Sequence, residues 1–177
     1  MVNTIKQRLF FALWPDDKTA AYLSDVAKKL HHQCGGRFIP QQNIHLTLIF
    51  LGNIDAPRVA VLKQLASRLS VNTFSLQLNK LGYWRNNGIA WCGTEKIPSS
   101  LTSLVNQLQD LLKAEGFAFE QRDYVPHITL LRDARCDGAK PFPTIDLEWT
   151  IQDLVLVEST LSNQGSVYKS IGRWQLG

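Results

Sequence analysis

The sequence predicts a fold of mixed helices and strands, in the order β-α-β-α-β-β-α-β-β-β. Three segments carry apolar residues at helical spacing. The other apolar segments are short or alternate with polar residues, as strands do. The chain has 177 residues, of which 45% are hydrophobic and 19% are charged. Such a chain can bury a proper core, either as one compact domain or as two small lobes.

Turn and capping residues mark the ends of the predicted elements in the first half. Asp16 or Asp17 can cap the first helix, and Gly35-Gly36 can end it. Pro57 suits the first turn of the second helix. The predicted elements are a strand over 8–14, a helix through Tyr22, Leu23, Val26 and Leu30, a strand over 44–51 closed by Gly52-Asn53, and a helix over 57–69.

The second half begins with a segment, 74–79, that alternates apolar and polar residues as a half-exposed strand should. The turn Asn86-Asn87-Gly88 follows, so residues 89–93 are predicted to be the hairpin partner of that strand. The remaining predicted elements are a helix from 98–100 to Gly116, a strand over 126–131, a polar loop over 133–143, and two strands near 150–159 and 167–176 joined by Ser162-Asn163-Gln164-Gly165.

Cysteine usage and charge bear on the compartment and the partner. Cys34, Cys92 and Cys136 are an odd number of cysteines without CxxC spacing, so we expect no disulfide framework and no zinc knuckle. The net charge of +4 is compatible with an anionic partner such as RNA, without requiring one. The apolar run over 9–14 is too short for a signal peptide or a membrane span. We therefore expect a cytoplasmic protein that contacts no membrane.

A pattern of His-x-Thr-Leu occurs twice, at His45 with Thr47 and at His127 with Thr129, and the two histidines are 82 positions apart. Residues two apart on a strand share one face, so each predicted strand carries an imidazole and a hydroxyl side by side. One such pair is most often a satisfied core or edge position. A structural histidine gains no advantage from a hydroxyl two residues later, so the two copies together indicate a functional site.

Two histidines and two threonines in one cleft suit the chemistry of a phosphodiester. One neutral and one protonated imidazole can divide the roles of base and acid, and hydroxyls can donate to phosphate oxygens. No metal is required. A metal site would need three or more ligands, and neither motif holds a carboxylate. His31 and His32 are interpreted as cap or surface residues, and no G-x-S-x-G motif supports a serine triad.

The paired motifs resemble those of the 2H phosphoesterase superfamily, and most closely its bacterial LigT-like branch of RNA 2′,3′-cyclic phosphodiesterases, also called 2′-5′ RNA ligases. Residues 8–13, 45–52, 126–132 and 168–174 are similar to that branch. The resemblance implies an α+β fold over residues 1–177 as a single domain, with two lobes related by pseudo-twofold symmetry. Antiparallel sheets flanked by helices would leave a central groove for the site.

The resemblance also implies the reaction and the roles of residues. It implies hydrolysis of an RNA 2′,3′-cyclic phosphate to a 2′-phosphomonoester by a monomer without a cofactor, and a reversible 2′-5′ ligase activity without ATP. His45 would donate a proton to the departing 3′ oxygen, and His127 would activate water. Thr47 and Thr129 would hold the phosphate oxygens.

Arg132 is a further candidate for binding the phosphate. Strict alternation from His127 puts Arg132 on the opposite face, so this role requires the strand to end or bulge near Leu131. For base stacking the candidates are aromatic residues that are more often part of a core, namely Phe11, Trp14, Tyr124 and Tyr168.

Two other functions stay open at this stage. The chain could be an RNA-end binding module without turnover, although binding alone needs cations rather than an acid and a base. It could also be a 2H enzyme for another ester, such as ADP-ribose 1″,2″-cyclic phosphate or a 2′-5′ oligoadenylate, which the sequence barely separates from the first function.

Overall fold

The structure is a computed structural model and describes residues 5–121, 123–138, 140–162 and 165–177. Short 3-10 turns precede β3 and α2, at Gln41–Asn43 and Ala56–Arg58. The elements are β1 (Lys6–Leu13), α1 (Asp17–Cys34), β2 (Arg37–Phe38), β3 (Leu46–Asp55), α2 (Val59–Ala66), β4 (Phe74–Leu78), β5 (Lys80–Trp84), β6 (Ile89–Gly93), α3 (Ser99–Ala114), β7 (His127–Arg132), β8 (Leu147–Ile151), β9 (Asp153–Ser162) and β10 (Gly165–Gln175).

The strands form one large antiparallel sheet in the order β10-β9-β1-β3-β7-β6-β5, with β2 paired to β7, and a separate two-stranded sheet of β4 and β8. The expected α+β fold with antiparallel sheets is therefore confirmed. The two halves of the large sheet meet where β3 runs beside β7, and the pair Leu46–Ile128 connects them. Both histidine motifs lie at this junction, because His45 and His127 each directly precede one member of the pair.

One buried cluster extends across both halves of the sheet and includes the inner faces of the helices. Asp16 caps α1 as expected, with its carboxylate accepting from the backbone N–H of Thr19 at 2.7 Å, and Gly35 follows its last residue. Leu23, Val26 and Leu30 of this helix are buried, whereas Tyr22 is exposed. No helix in the described part of the chain is long and apolar enough to cross a membrane.

Strand β1 has the main core on one face and a smaller aromatic cluster on the other. Leu9, Phe11 and Leu13 point into the main core, whereas Phe10 and Ala12 belong to a smaller buried cluster on the other face of the sheet. Val155 and Val157 complete that cluster, and Trp14 and Tyr168 pack against it. The half of the sheet formed by β10, β9, β1 and β3 thus presents an aromatic surface on the face opposite the main core.

The predicted end of the second strand at Gly52-Asn53 is wrong, because β3 continues to Asp55. The register against β1 shifts between Leu9 and Phe10, so the strand bulges near Gly52 instead of ending there. Gly52 has a φ of 70°, which glycine tolerates and which bulges use.

The predicted hairpin partner of the 74–79 segment is also wrong. Strand β4 pairs with β8, and the partner of β6 across the Asn86-Asn87-Gly88 turn is β5, a strand that the sequence did not reveal. The alternating pattern of β4 fits any neighbour with a matching apolar face. Leu76 lies opposite Trp149 in the observed pairing, a contact between residues far apart in the chain.

Two further expectations need correction. Cys34 and Cys136 form a disulfide across 102 positions, whereas Cys92 is free and buried. The end of α1 reaches the loop after β7, where the Cys34 carbonyl accepts from the backbone N–H of Arg135 at 2.8 Å, and cysteine spacing gives no sign of that approach. The strand predicted near 150–159 is two strands, β8 and β9, which meet at Gln152. Within the predicted turn after β9, Asn163 and Gln164 lie outside the described residues.

Candidate active site

Each of the two motif histidines is held by a hydrogen bond to the backbone carbonyl two residues before it. The Nδ1 of His45 lies 2.6 Å from the carbonyl oxygen of Asn43, and the Nδ1 of His127 lies 2.8 Å from that of Val125. A carbonyl can only accept, so Nδ1 carries the proton in both rings. In the neutral state, each Nε2 is therefore left with a lone pair that can accept a proton. This assignment of tautomers is the one that acid–base work at two Nε2 atoms requires.

Thr47 lies beside one of these nitrogens. The hydroxyl of Thr47 is 3.1 Å from His45 Nε2, to which it can donate. Extending the antiparallel register from the Leu46–Ile128 pair sets His45 opposite Thr129 and Thr47 opposite His127. The structure thus brings the four motif residues together at the junction of the two half-sheets.

Strand β7 bulges one residue after Thr129, and this bulge determines where Arg132 lies. Trp91 pairs with Thr129 and Ala90 pairs with Leu131, so Leu130 is the extra residue. Leu130 and Leu131 are both fully buried, whereas Arg132 is exposed. Two successive buried residues reset the alternation and return Arg132 to the face of Thr129. The bulge that a phosphate-binding role for Arg132 requires is therefore present.

The first motif contains the same irregularity at the matching place. Ala12 pairs with Thr47 and Phe11 pairs with Ile49, so Leu48 is the extra residue of β3. Leu48 and Ile49 are both buried, and Phe50 is exposed on the face of Thr47. Phe50 thus occupies in the first motif the position that Arg132 occupies in the second.

Burial and nearby positive charge change the acidity of His45. Burial is the main cause that lowers its pKa from 6.5 to about 4, and the positive charges of Arg132 and His127 lower it further. The hydrogen bond to the Asn43 carbonyl opposes this shift. His45 is therefore neutral near pH 7 when no anion occupies the site.

Aromatic rings surround both imidazoles. Trp14 stacks on His45 with ring centroids 4.9 Å apart, and Phe10 and Tyr168 lie at 5.1 and 5.2 Å from the same ring. Trp84 meets His127 edge-on at 4.6 Å. Trp84 was not among the candidate residues because it belongs to β5, whose pattern did not reveal a strand.

The other aromatic candidates lie in different surroundings. Phe11 is fully buried in the main core, so it is not available for base stacking. Tyr124 donates its hydroxyl to the Thr47 carbonyl at 3.3 Å, and burial raises the pKa of this phenol. Tyr124 therefore links the segment before β7 to the backbone of the first motif.

Two cavities flank the histidines. The larger, about 510 Å³, lies at the His127 end, and the smaller, about 200 Å³, lies beside Trp14 and Tyr168. Arg173 and Gln42 also line the smaller cavity. The larger cavity is lined by the site residues Thr47 and His127, by the aromatic residues Phe50, Trp84 and Tyr124, and by polar side chains that include Asn86, Asn87, Gln109, Glu120 and Asp123.

Other groups that could bind a metal ion are scattered. Within the described ranges, no three His, Cys, Asp or Glu residues lie close enough together to hold one. His31 stacks on Phe38 at the end of α1, and burial raises the pKa of the free Cys92 thiol to about 12.

Comparison with known proteins identifies the family. The family model for LigT-like phosphoesterases matches residues 13–91 and 93–168. The chain is 31% identical to the RNA 2′,3′-cyclic phosphodiesterase of Escherichia coli K12, over 96% of this chain and 97% of that protein. It is 27% identical to the protein of the same name from Archaeoglobus fulgidus, over 93% of this chain and 97% of that one.

A solved structure agrees with these sequence matches. The crystal structure of E. coli LigT complexed with 3′-AMP has a TM-score of 0.81 and 30% sequence identity, and the match covers 97% of this chain and 99% of that one. The likeness therefore extends over both half-sheets and both histidine motifs. The chain belongs to the family of LigT-like phosphoesterases.

Proposed function

We propose that this protein hydrolyses 2′,3′-cyclic phosphate ends of RNA to 2′-phosphomonoesters, with His45 and His127 as the acid and the base. The main support is that a backbone carbonyl holds Nδ1 of each histidine, so that each neutral ring has its lone pair on Nε2, and that the Thr47 hydroxyl lies beside Nε2 of His45. The names of the E. coli and A. fulgidus relatives agree with this reaction. Binding alone would not require two imidazoles in the same tautomer.

The proposed reaction is an in-line displacement at phosphorus. His127 takes a proton from water as the water oxygen attacks the phosphorus, and the bond to the 3′ oxygen breaks. His45 gives its proton to that oxygen, so the phosphate remains on the 2′ oxygen. Thr47, Thr129 and Arg132 hold the non-bridging oxygens by donated hydrogen bonds. When a 5′-hydroxyl attacks in place of water, the same displacement breaks the bond to the 3′ oxygen and forms a 2′-5′ linkage without ATP, and the reverse step, attack by the 3′-hydroxyl, cleaves that linkage.

Substrate binding must change the protonation of His45 for this mechanism to work. In the free protein, burial is the main cause that keeps the pKa of His45 near 4, and the positive charge of Arg132 adds to the effect. A bound phosphate anion would place negative charge among Arg132, His127 and His45, which favours the protonated ring. His45 would thus become an acid in the complex, although it is neutral in the free protein.

Substitution of each histidine tests the mechanism. Replacing His45 or His127 by alanine should lower kcat/KM by at least about a hundredfold, which is typical of lost general acid–base catalysis. His32→Ala is the matched control, because His32 is an exposed residue in the last turn of α1. Near-normal activity in either motif variant would exclude the acid–base pair.

Product analysis tests the reaction itself. Hydrolysis of adenosine 2′,3′-cyclic monophosphate should continue in EDTA, and phosphorus NMR should detect the 2′-phosphate as the product. Inhibition by EDTA or formation of the 3′-phosphate would contradict the proposal.

We also propose that residues 1–177 form a single two-lobed domain and that the protein acts as a cytoplasmic monomer. The continuity of one buried core across both half-sheets supports the single domain.

A further inference from the structure

Arg8 lies on the ring of Phe50, at the end of the groove nearer His127. Its Cζ atom is 4.8 Å from the Phe50 ring centroid, and its Nη1 donates to the Ser159 hydroxyl at 3.3 Å. Arg8 precedes Phe10 by two positions on β1, so it shares the face whose aromatic residues surround His45. Phe50 itself lines the larger cavity together with His127. Arg8 therefore lies at the margin of the proposed active site.

Within the described part of the chain, no carboxylate forms an ion pair with Arg8. The side-chain contacts shown for Arg8 are an aromatic ring and a hydroxyl. Arg37 and Arg173 differ, because each forms a 2.7 Å ion pair, with Asp133 and Asp153 respectively. An exposed guanidinium held by neutral groups is preorganised and keeps its full attraction for an anion.

Arg8 and Arg132 occupy corresponding places at opposite ends of the groove. Phe50 comes after the bulge in β3 as Arg132 comes after the bulge in β7, and the guanidinium of Arg8 lies over the Phe50 ring. The charge of Arg132 lowers the pKa of His45, whereas the Phe50 ring beneath Arg8 lines the cavity that His127 also lines. Phe50 is three residues beyond Thr47, which is about 10 Å along a strand. The contacts with the Phe50 ring and the Ser159 hydroxyl hold the Arg8 guanidinium at that distance from the phosphate that Thr47 would bind, so Arg8 is suited to a second phosphate.

We propose that Arg8 binds the phosphate that precedes the terminal nucleotide of an RNA strand, so that the enzyme favours RNA ends over free cyclic mononucleotides. A mononucleotide 2′,3′-cyclic phosphate carries only the phosphate that reacts. A dinucleotide with the same end carries one more, and this additional anion is the ligand of Arg8. The inference rests on the proposed function, since it names the substrate class of that site.

Three substrates isolate the contribution of the second phosphate. They are adenosine 2′,3′-cyclic monophosphate, the dinucleotide ApA ending in a 2′,3′-cyclic phosphate, and the same dinucleotide with a neutral methylphosphonate linkage. The wild-type protein should show a higher kcat/KM for the charged dinucleotide than for the other two. Arg8→Gln should reduce that preference by roughly three- to tenfold, as expected for an exposed charge-assisted contact. Arg8→Lys should retain part of it.

Arg58→Gln is the matched control. Arg58 also lies over an aromatic ring, that of Phe117 at 3.8 Å, and donates to the Glu115 carbonyl, but Phe117, unlike Phe50, does not line the larger cavity. This variant should keep the wild-type preference. Equal losses on all three substrates in Arg8→Gln would overturn the inference, as would an unchanged preference.

A binding measurement separates this inference from the proposed reaction. If the wild-type protein hydrolyses none of the three substrates, the proposed function fails. The anisotropy of a 5′-labelled dinucleotide 2′-phosphate then tests Arg8 alone. Weaker binding by Arg8→Gln than by Arg58→Gln would support the subsite, and equal binding by both variants would exclude it.

Discussion

His45 and His127 are anchored in the same way, yet their surroundings are not equivalent. His45 lies among Phe10, Trp14 and Tyr168, and this burial is the main cause of its low pKa. The family resemblance assigns the acid role to this ring, although it is the histidine that burial keeps neutral in the free protein. The assignment of acid and base therefore depends on the charge that the substrate brings.

A change of leaving group tests which histidine is the acid. A cyclic substrate with sulfur in place of the 3′ oxygen needs no proton for departure, because a thiolate is a good leaving group. His45→Ala should lose much less activity on this substrate than on the oxygen substrate, whereas His127→Ala should lose a similar amount on both. Steady-state kinetics of the two variants on the two substrates provide the measurement. Recovery of His127→Ala instead would mean that the roles are reversed.

The low pKa of His45 also makes stability depend on pH. The unfolded chain binds a proton at His45 below the ordinary value of 6.5, whereas the folded protein binds it only near pH 4. The contribution of neutral His45 to the unfolding free energy is therefore fully present above pH 6.5, and it is lost as the pH decreases toward 4. At about pH 4.5 this contribution amounts to a loss of about 2 kcal/mol relative to neutral pH.

Denaturant unfolding of the wild type and of His45→Gln at both pH values isolates this contribution. The variant should lose less stability on acidification, because it has no imidazole to protonate at this position. An equal loss in both proteins would show that His45 is not buried in the way its contacts indicate.

At the scale of elements, the bulges and close contacts of strands determine which side chains reach the groove. The bulge at Leu130 turns Arg132 toward Thr129, and the one at Leu48 does the same for Phe50 beside Thr47. In the second half-sheet, Trp91 crosses β5 directly over Gly82, and Trp91 lies 5.3 Å from Trp84. Trp84 in turn meets His127, so Gly82 supports the active site indirectly.

Gly82→Ala is expected to disturb the site through this contact. A Cβ atom at Gly82 would overlap the Trp91 ring, so the indole must move and displace Trp84. The variant should lose about 1–3 kcal/mol of stability from overpacking and should also lose activity.

Gly35→Ala is the control for that variant. Its φ is 58° and its Cβ would meet nothing within 4 Å, so it should lose about 1 kcal/mol without a change in kcat. Comparison of kcat and unfolding free energy in the two variants separates the steric effect from general destabilisation. Unchanged kcat in Gly82→Ala would exclude a positioning role for Trp91.

At the scale of the whole molecule, a long covalent loop supplements the antiparallel sheet. The Cys34–Cys136 disulfide links the end of α1 to the loop after β7 across a sequence separation of 102, and both motifs lie within the loop that it closes. Closing a loop of that length restricts the unfolded chain and stabilises the folded one by about 4.7 kcal/mol in the chain-entropy account.

The double variant Cys34→Ala/Cys136→Ala tests the bridge. Its unfolding free energy should be about 2–4 kcal/mol below that of the oxidised wild type, and it should match that of the reduced wild type. Denaturant unfolding with and without a reductant gives the comparison. Identical stability in the presence and absence of the reductant would show that the bridge does not contribute.

Local signals in the sequence determined a large part of this protein. The cap at Asp16, the helix end at Gly35 and the two His-x-Thr strands all depend on residues within a few positions of one another, so each could be predicted. The doubled motif also indicated a phosphate site, because two imidazoles and two hydroxyls are an unusual set to bury. The family followed from the same residues.

Only the tertiary structure decided what depends on distant partners. The pairing of β4 with β8, the disulfide of Cys34 with Cys136 and the place of Arg8 over Phe50 each join residues far apart in the chain. The alternating pattern of a strand does not specify which other strand pairs with it, and a bulge such as the one at Leu130 forms only against a particular partner strand. Strict alternation along β7 predicts that Arg132 faces away from His127. The bulge in the pairing of β6 with β7 places Arg132 on the side of the groove instead.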